Sequence, residues 1–511
     1  MKVSAIASVA IAIASSAVFV RASTCEQVSQ LHLPDTQIES AEVIPAGQLR
    51  LKPGSSPGDP EVLKNLPQFC RVLADIRPTR DSNIKIEVWL PVSGWNGKFE
   101  GVGNGGWAGS IFYPMLGLAL QQGYAAAATN TGHDGNMDDA SFALGHPEKV
   151  IDFGYRAVHE MTSKAKAIIA AFYGKQAARA YWFGCSTGGR QGLTEAQKFP
   201  LDYDGIVAGA PANYWTHLMA GDVWTAQATL SDPAHYIPKE KYPLIHKAAL
   251  DVCDAQDGIR DGVIDDPRRC QFDPGVLQCK KEEHTDCLTA PQVEAAKKIY
   301  AGAKNPRTHE QVFPGLEPSS EGDWEAFAGG PEPPIVASHF KYLVFKNPAW
   351  DFRTLNFDRD VALADKLDEN VLNATDPNLS KFVSNGGKLL LYHGWSDGLI
   401  APENTINYYT SVVSEISRER AQGSIRLFMV PGMAHCEGGD GTDRFDAVAA
   451  LDEWVDRHKA PEHIVAVHNK GPTVERSRPL CPFPEVAKYA GNGSTDDAAN
   501  FVCRNAPVRL P

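Results

Sequence analysis

Short apolar segments alternate with an amphipathic segment in the first part of the chain. Apolar and polar positions alternate over residues 83–90, as in a half-buried strand, whereas residues 123–129 and 205–208 are continuously apolar, as in buried strands. Between them, residues 152–173 carry apolar side chains at helical spacing, and Gly174 follows as a helix-ending residue. Strands that alternate with helices predict an α/β fold, with a mostly parallel sheet covered by helices on both faces.

This alternation stops in the middle of the chain. Residues 212–384 contain scattered Trp, Pro and Cys residues and acidic patches, and strand patterns resume at residues 388–392 and 425–430. A length of 511 residues exceeds what one hydrophobic core usually organises. We therefore interpret residues 212–384 as a lid-like domain inserted into a sheet domain of residues 23–211 and 385–511.

The chain begins with a pattern typical of a secretory signal peptide. Lys2 precedes an apolar run over residues 3–20, and small residues follow Arg21. Serines dilute the run, which disfavours the alternative of a membrane anchor. We expect residues 1–22 to be removed and the mature protein to be soluble and extracellular. From there to about Arg80 we predict a wrapped segment that precedes the regular elements.

Charge and composition narrow the class of partner. The formal net charge of −13 disfavours nucleic acids and anionic membranes as partners. Asn373, Asn378 and Asn492 begin Asn-X-Ser/Thr triplets and are candidate glycosylation sites. The sequence carries no signal for the oligomeric state.

Ten cysteines in a secreted chain predict five disulfides. Cys185 and Cys436 lie directly beside the candidate catalytic residues described below, and they form either a bond or two buried thiols. Spacing cannot prove the connectivity, but it suggests four local pairs: Cys25 with Cys70, Cys253 with Cys270, Cys279 with Cys287, and Cys481 with Cys503.

A Gly-x-Ser-x-Gly motif occupies residues 184–188, between a predicted strand and a predicted helix. In this context the glycines permit a tight, strained turn that lifts a serine hydroxyl above the sheet, as in α/β-hydrolases. Ser186 is therefore the candidate nucleophile. The alternative is a glycine-rich turn with a solvated serine.

A nucleophilic serine requires a histidine base that a carboxylate orients, and α/β-hydrolases place these residues in the order Ser, Asp or Glu, His. Asp397 and His435 each follow a predicted strand, where such sheets carry functional groups. They are the candidate partners of Ser186. His393 is an alternative base, disfavoured because it precedes the carboxylate, and the alternative role of Asp397 is to cap a helix.

The tetrahedral intermediate of ester hydrolysis requires hydrogen-bond donors for its oxyanion. The backbone N–H of Thr187, at the start of the predicted helix, is one candidate donor. The glycine-rich loop at residues 101–107 offers a second at Gly105 or Gly106, which the sequence does not separate. The alternative for this loop is a plain turn.

An acidic loop lies between Cys253 and Cys270 and contains five aspartates separated by glycines and short spacers. Carboxylates at this spacing can converge on a hard cation, and calcium fits best, although the spacing differs from the helix–loop–helix calcium pattern. We expect a structural rather than a catalytic ion. The alternative is a solvated acidic turn.

Taken together, these motifs resemble those of the tannase and feruloyl esterase family, and especially fungal feruloyl esterases of the B type. The resemblance rests on residues 184–189, 129–133, the acidic loop, 394–397 and 431–436. It implies an α/β-hydrolase fold with a lid over an aromatic acyl group. It also implies a Ser186, Asp397 and His435 triad, a Cys185–Cys436 disulfide that joins it, and calcium held by Asp254, Asp257 and Asp261 with the main-chain oxygens of Ile259 and Val263.

By the same resemblance, the expected activity is hydrolysis of feruloyl and other hydroxycinnamoyl esters of plant cell-wall polysaccharide, or of small aromatic esters. Galloyl esters, the substrates of tannases, are the close alternative, and a more distant relative hydrolyses a terephthalate monoester. A hypothesis of another class is a non-catalytic, calcium-dependent carbohydrate-binding protein on a hydrolase scaffold. The intact Ser, Asp, His order disfavours it.

Overall fold

The computed structural model describes residues 22–51, 60–281, 284–330 and 334–505. The predicted signal peptide of residues 1–22 lies outside the described residues except for Ala22. Over the described ranges, no helix combines the length and the apolar character that a membrane crossing requires.

Strands supply the framework of the protein. A nine-stranded sheet has the order β1-β2-β3-β5-β4-β6-β7-β10-β11. Its first three pairings are antiparallel and the five from β5 to β11 are parallel. The strand bounds are β1 Thr36–Ile44, β2 Phe69–Ile76, β3 Ile84–Pro91, β4 Lys98–Val102, β5 Ala125–Thr129, β6 Arg179–Cys185, β7 Gly205–Gly209, β8 Ala303–Lys304, β9 Gln311–Phe313, β10 Lys388–Gly394, β11 Ile425–Val430, β12 Ile464–Lys470, β13 Thr473–Leu480, β14 Glu485–Tyr489 and β15 Phe501–Asn505.

Helices cover both faces of this sheet. Apolar residues of α5, α6 and α14 pack on one face, and those of α3 and α16 pack on the other. The bounds are α1 Cys25–Val28, α2 Pro60–Lys64, α3 Tyr113–Gln121, α4 Pro147–Ile151, α5 Ala157–Tyr173, α6 Thr187–Lys198, α7 Trp215–Leu230, α8 Tyr242–Cys253, α9 Ala290–Ala301, α10 Glu325–Ala328, α11 Pro334–Ser338, α12 Arg359–Asp368, α13 Ser380–Ser384, α14 Pro402–Ile416, α15 Arg418–Ser424 and α16 Ala447–Arg457.

The register of the parallel strands brings distant parts of the sequence to one edge of the sheet. Cys185 at the end of β6 pairs with Gly209 at the end of β7. Gly394 at the end of β10 pairs with Val430 at the end of β11. The loops that follow these strands therefore meet at the carboxyl edge, where open α/β sheets bind ligands.

Two predictions about local structure are wrong. The segment before Arg80 is not merely wrapped, because β1 and β2 join the sheet. The buried strand β2 accommodates Arg71 because its guanidinium donates to the Glu87 carboxylate at 2.7 Å and 2.8 Å, and Glu87 lies on the neighbouring strand. The predicted helix at residues 152–173 begins earlier, at Pro147, and passes through a π-helical turn at Asp152–Arg156.

Residues 212–384 contain a separate apolar cluster built on α7, α9 and the helices near Phe340. This cluster is not closed within the inserted region. It includes Trp107 and Phe153 from the sheet domain, and the Trp107 and Trp215 rings lie 4.7 Å apart, measured between centroids. The inserted region and the sheet domain therefore share one packed boundary.

The described cysteines form five disulfides, and none is free. Four join cysteines separated by 8 to 45 residues, whereas the fifth, Cys185–Cys436, spans 251 residues. The four shorter bonds are those that the spacing suggested: Cys25–Cys70, Cys253–Cys270, Cys279–Cys287 and Cys481–Cys503.

Candidate active site

Ser186 lies in the turn between β6 and α6. Its φ of 61° and ψ of −123° place it in the left-handed region, a strained conformation for a residue with a side chain. Glycines make the turn possible, since a Cβ at Gly184 would lie 2.5 Å from the Gly188 backbone. The Ser186 N–H donates to the Gly209 carbonyl at 3.0 Å, which fixes the turn to β7.

His435 and Asp397 meet beside this turn. The Nδ1 atom of His435 lies 2.7 Å from Oδ2 of Asp397. A carboxylate accepts only, so Nδ1 carries the proton and the other ring nitrogen is left as the base. Burial lowers the pKa of His435, but the Asp397 carboxylate outweighs burial and the net shift is upward.

Asp397 is fully buried and held on all sides. Its Oδ1 accepts the N–H groups of Leu399 and Ile400 at 2.8 Å and 2.9 Å, and its Oδ2 accepts from His435 and His393. Burial alone would raise the pKa of Asp397, yet the two histidines hold it well below its usual range. The carboxylate is therefore ionised and immobile.

His393, the alternative base, has a different position. It is fully buried on β10, outside the lining of the cavity that contains Ser186. Its Nε2 faces two acceptors at 3.0 Å, Oδ2 of Asp397 and the Ile400 carbonyl, and its Nδ1 lies 2.7 Å from the Thr405 hydroxyl. His393 thus positions the carboxylate, a role that the sequence did not reveal because His393 and its partners are brought together by a turn.

Ser186 and His435 line the same cavity. Both belong to the described residues, and no hydrogen bond joins them there. A covalent link holds them together instead: the disulfide joins Cys185, the residue before the nucleophile, to Cys436, the residue after the histidine.

The candidate oxyanion donors also face this cavity. Thr187, Gly105 and Gly106 all line it, and the Thr187 hydroxyl donates to the Gly106 carbonyl at 2.6 Å. Gly106 has a φ of +50°, and a Cβ there would lie 2.3 Å from the Met137 carbonyl oxygen. The neighbouring Trp107 N–H is occupied by that same carbonyl at 2.8 Å. The structure brings the predicted donors together without separating Gly105 from Gly106.

The cavity has a volume of about 560 Å³ and a mainly apolar wall. Part of its wall is formed by residues 212–384 and the loops near them, none of which the sequence identified as lining residues. This wall includes Trp215, Leu218, Met219, Asp222, Phe327, Ile335, Leu399 and Ile400. Aromatic and aliphatic walls with a few polar groups are typical of sites for small organic ligands.

The acidic loop lies apart from this cavity. The Asp254 carboxylate accepts the N–H groups of Asp261 and Gly262, and that of Asp261 accepts from Arg478 at 2.6 Å. Burial and the neighbouring carboxylates raise the pKa of Asp257, and burial with the same crowding raises the pKa of Asp265 to about 7. Crowded carboxylates of this kind suit a hard cation chemically.

The carboxylate oxygens of the acidic loop lie farther apart than the ligands of one bound ion. In the described part of the chain, the trio of metal-ligand side chains whose ligand atoms all lie within 4.8 Å of one another is His159, Glu195 and Asp202, away from the loop. The main-chain oxygens of Ile259 and Val263 belong to the same loop as Asp257. The carboxylate and main-chain oxygens of the loop are hard donors of the kind that calcium takes, although the loop carboxylates do not converge within that distance in the described structure.

The position of the Cys185–Cys436 bond leads to a prediction. In the loop-entropy account, a bond across 251 residues stabilises the fold by about 5 kcal/mol, and one across 8 residues by about 2.5 kcal/mol. The Cys185→Ala, Cys436→Ala variant should lose esterase activity at temperatures where circular dichroism still reports a folded protein. The Cys279→Ala, Cys287→Ala control should keep activity. Full activity in the Cys185→Ala, Cys436→Ala variant would contradict the role of this bond in holding Ser186 and His435 together.

Comparison with known proteins shows which family the chain belongs to. The family model for tannase and feruloyl esterase matches residues 70–504. An uncharacterized esterase of Xanthomonas campestris pv. campestris is 41% identical, covering 94% of this chain and 91% of its own length. The mono(2-hydroxyethyl) terephthalate hydrolase of Piscinibacter sakaiensis is 33% identical over 86% of each chain. The crystal structure of feruloyl esterase B from Aspergillus oryzae superposes with a TM-score of 0.87 at 30% identity, covering 94% of this chain and 99% of that one.

These findings confirm the predicted α/β-hydrolase fold and the predicted resemblance. They also establish the reaction class, since the matched relatives are named as esterases and hydrolases of esters. The protein is a carboxylic ester hydrolase, and it belongs to the tannase and feruloyl esterase family.

Proposed function

We propose that this protein is a secreted serine esterase that releases hydroxycinnamic acids, such as ferulic acid, from their esters through an acyl-enzyme on Ser186. The observation that carries the proposal is the convergence of Ser186 and the His435–Asp397 pair on one largely apolar cavity. The similarity to a feruloyl esterase B over nearly the whole chain supports the choice of acyl group.

The reaction follows from the positions of these groups. The unprotonated nitrogen of His435 takes the Ser186 proton as Oγ attacks the ester carbonyl. The N–H of Thr187, with that of Gly105 or Gly106, stabilises the oxyanion. His435 then gives its proton to the departing alcohol, which leaves the acyl group on Ser186. Water, deprotonated by His435, attacks the acyl carbonyl, and the bond to Ser186 Oγ breaks as His435 returns that proton to Oγ, which releases the acid and restores the free serine.

Asp397 makes this proton transfer feasible. Its low pKa keeps it ionised throughout, so it stabilises the imidazolium that forms in each step. His393 and the Leu399 and Ile400 N–H groups hold the carboxylate in place. The charge on the histidine therefore develops against a fixed partner, which lowers the cost of reorganisation in the transition state.

The tannase activity on galloyl esters is the closest alternative. A trihydroxylated ring needs several polar partners, whereas the cavity wall near Trp215 and Phe327 is mainly apolar. This favours cinnamoyl over galloyl esters.

The carbohydrate-binding hypothesis is disfavoured because His435, paired with Asp397, lines the same cavity as Ser186. Five disulfides support an oxidising, extracellular location, where feruloylated polysaccharide is the proposed substrate.

Glycosylation is proposed at the exposed sites only. Asn378 and Asn492 are exposed. The Asn373 amide instead donates to the Thr216 hydroxyl at 3.1 Å, and that contact would have to break before a glycan could attach.

The proposed activity predicts the behaviour of a serine variant. Ser186→Ala should lower kcat for methyl ferulate by about 10⁴-fold or more, because removing a triad member leaves only the residual effect of binding and the oxyanion donors. Ser110→Ala is the matched control, since Ser110 lines the same cavity, and it should keep activity. Methyl gallate, assayed in parallel, should be hydrolysed more slowly than methyl ferulate. Turnover that persists in Ser186→Ala contradicts the mechanism, and a preference for methyl gallate contradicts the substrate assignment.

We also propose that the acidic loop binds a structural calcium ion through Asp254, Asp257 and Asp261 with the main-chain oxygens of Ile259 and Val263. Calcium would neutralise the crowded carboxylates and fasten the loop beside Arg478 of the C-terminal hairpin.

Removing calcium should lower the melting temperature, and adding it back should restore it. An ion present at a hundredfold excess over its Kd stabilises the folded state by about 2.7 kcal/mol. Asp257→Asn should abolish the response to calcium, whereas Asp251→Asn, an exposed neighbour paired with Lys247, should keep it. Wild-type protein that contains no calcium by elemental analysis and does not respond to chelation would contradict the site.

A further inference from the structure

Asp222 lies on the inserted-region wall of the active-site cavity. It belongs to α7, where Trp215, Leu218 and Met219 precede it at intervals of three and four residues, so all four lie on one face of the helix. That face lines the cavity that contains Ser186 and His435. A carboxyl group therefore occupies a wall that is otherwise apolar.

The surroundings of Asp222 contain no partner for it. The residue is 4% exposed, and in the described ranges its carboxyl group receives no hydrogen bond and makes no ion pair. Although most of the residue is buried, its carboxyl oxygens are not sealed in the packed core, because they open onto the cavity. The carboxyl group faces the cavity, where a ligand can supply the missing partner.

Two other carboxyl groups line the cavity, and they differ from Asp222. Asp138 is exposed. Glu437 is 61% exposed and forms an ion pair with Arg444 at 2.8 Å. Both are solvent-exposed, whereas Asp222 is buried. Among the carboxyl groups that line the cavity, Asp222 is thus the buried one that a substituent on a bound ring could meet.

The charge state of Asp222 suits a neutral partner. Burial and the nearby Asp397 carboxylate raise the pKa of Asp222 well above its usual range. A protonated carboxyl group both donates and accepts a hydrogen bond. A phenolic hydroxyl does the same, so the two groups can satisfy each other. A carboxylate on the ring would be less well accommodated, because Asp397 already disfavours negative charge nearby.

We propose that Asp222 is the specificity residue that binds the phenolic hydroxyl of the acyl ring in the cavity beside Ser186. This inference rests on the proposed function and adds to it the group that recognises the ring substituent. An ester without the hydroxyl would leave Asp222 unpaired in the complex, which is the condition under which polar sites discriminate most strongly.

Methyl p-coumarate and methyl cinnamate test this assignment, because they differ only by the phenolic hydroxyl. The wild type should prefer methyl p-coumarate in kcat/KM by about tenfold or more. Asp222→Leu removes the polar group at similar size and should bring the ratio close to one. Asp222→Asn keeps a donor and an acceptor and should retain most of the preference. Asp138→Leu, which changes an exposed carboxyl group, should leave this kcat/KM ratio unchanged.

A binding measurement separates this inference from the proposed function. In the Ser186→Ala background, p-coumaric acid and cinnamic acid can be titrated while the fluorescence of the cavity tryptophans Trp107 and Trp215 is followed. The preference for p-coumaric acid should disappear on adding Asp222→Leu and persist on adding Asp222→Asn, with the melting temperature confirming that each variant is folded. An unchanged preference in Asp222→Leu overturns the role of Asp222, whether or not the wild type hydrolyses the esters.

Discussion

The site depends on holding together groups that come from three separate strands. Ser186 follows β6, Asp397 follows β10 and His435 follows β11, and the histidine lies 249 positions after the serine in the sequence. The parallel register brings the three strand ends to one edge of the sheet, and the Cys185–Cys436 bond fixes the nucleophile turn to the histidine loop. Effective catalysis requires reacting groups held at near-contact geometry, and a covalent bond between their chain neighbours restricts that geometry directly.

A second constraint acts through α6, the helix that begins after Ser186. Arg190 is fully buried on this helix and donates to the Gly154 carbonyl at 2.9 Å and the Leu372 carbonyl at 3.3 Å. Its guanidinium also lies 5.1 Å from the centre of the Trp215 ring. Helix α6 is therefore tied both to Gly154 and to residues Trp215 and Leu372 of the 212–384 region. The wall that would hold the acyl group and the turn that carries the serine share one rigid support.

The sequence was sufficient to predict those features that depend on residues close to one another in the chain. The turn at residues 184–188, the order of Ser186, Asp397 and His435, and the strands around them have patterns that do not depend on distant contacts. It was insufficient where the role of a residue depends on the partner that it contacts in the fold. Only the fold shows that Arg71 is paired with Glu87 on the neighbouring strand. Only the fold shows what His393, the disfavoured alternative base, does: it contacts Asp397 and Thr405 in the buried interior. No feature of the sequence pointed to Asp222, because only the fold places it in the cavity.

In the proposed mechanism the acyl group passes through Ser186. Rapid mixing of the protein with methyl ferulate, followed by acid quench and mass spectrometry of the proteolytic peptides, can detect that intermediate. We expect a feruloyl group on the peptide that contains Ser186 and none on that peptide in the Ser186→Ala variant. A feruloyl group on another residue, or turnover by the wild type with no acylated peptide even when deacylation is slowed at low pH, would contradict it.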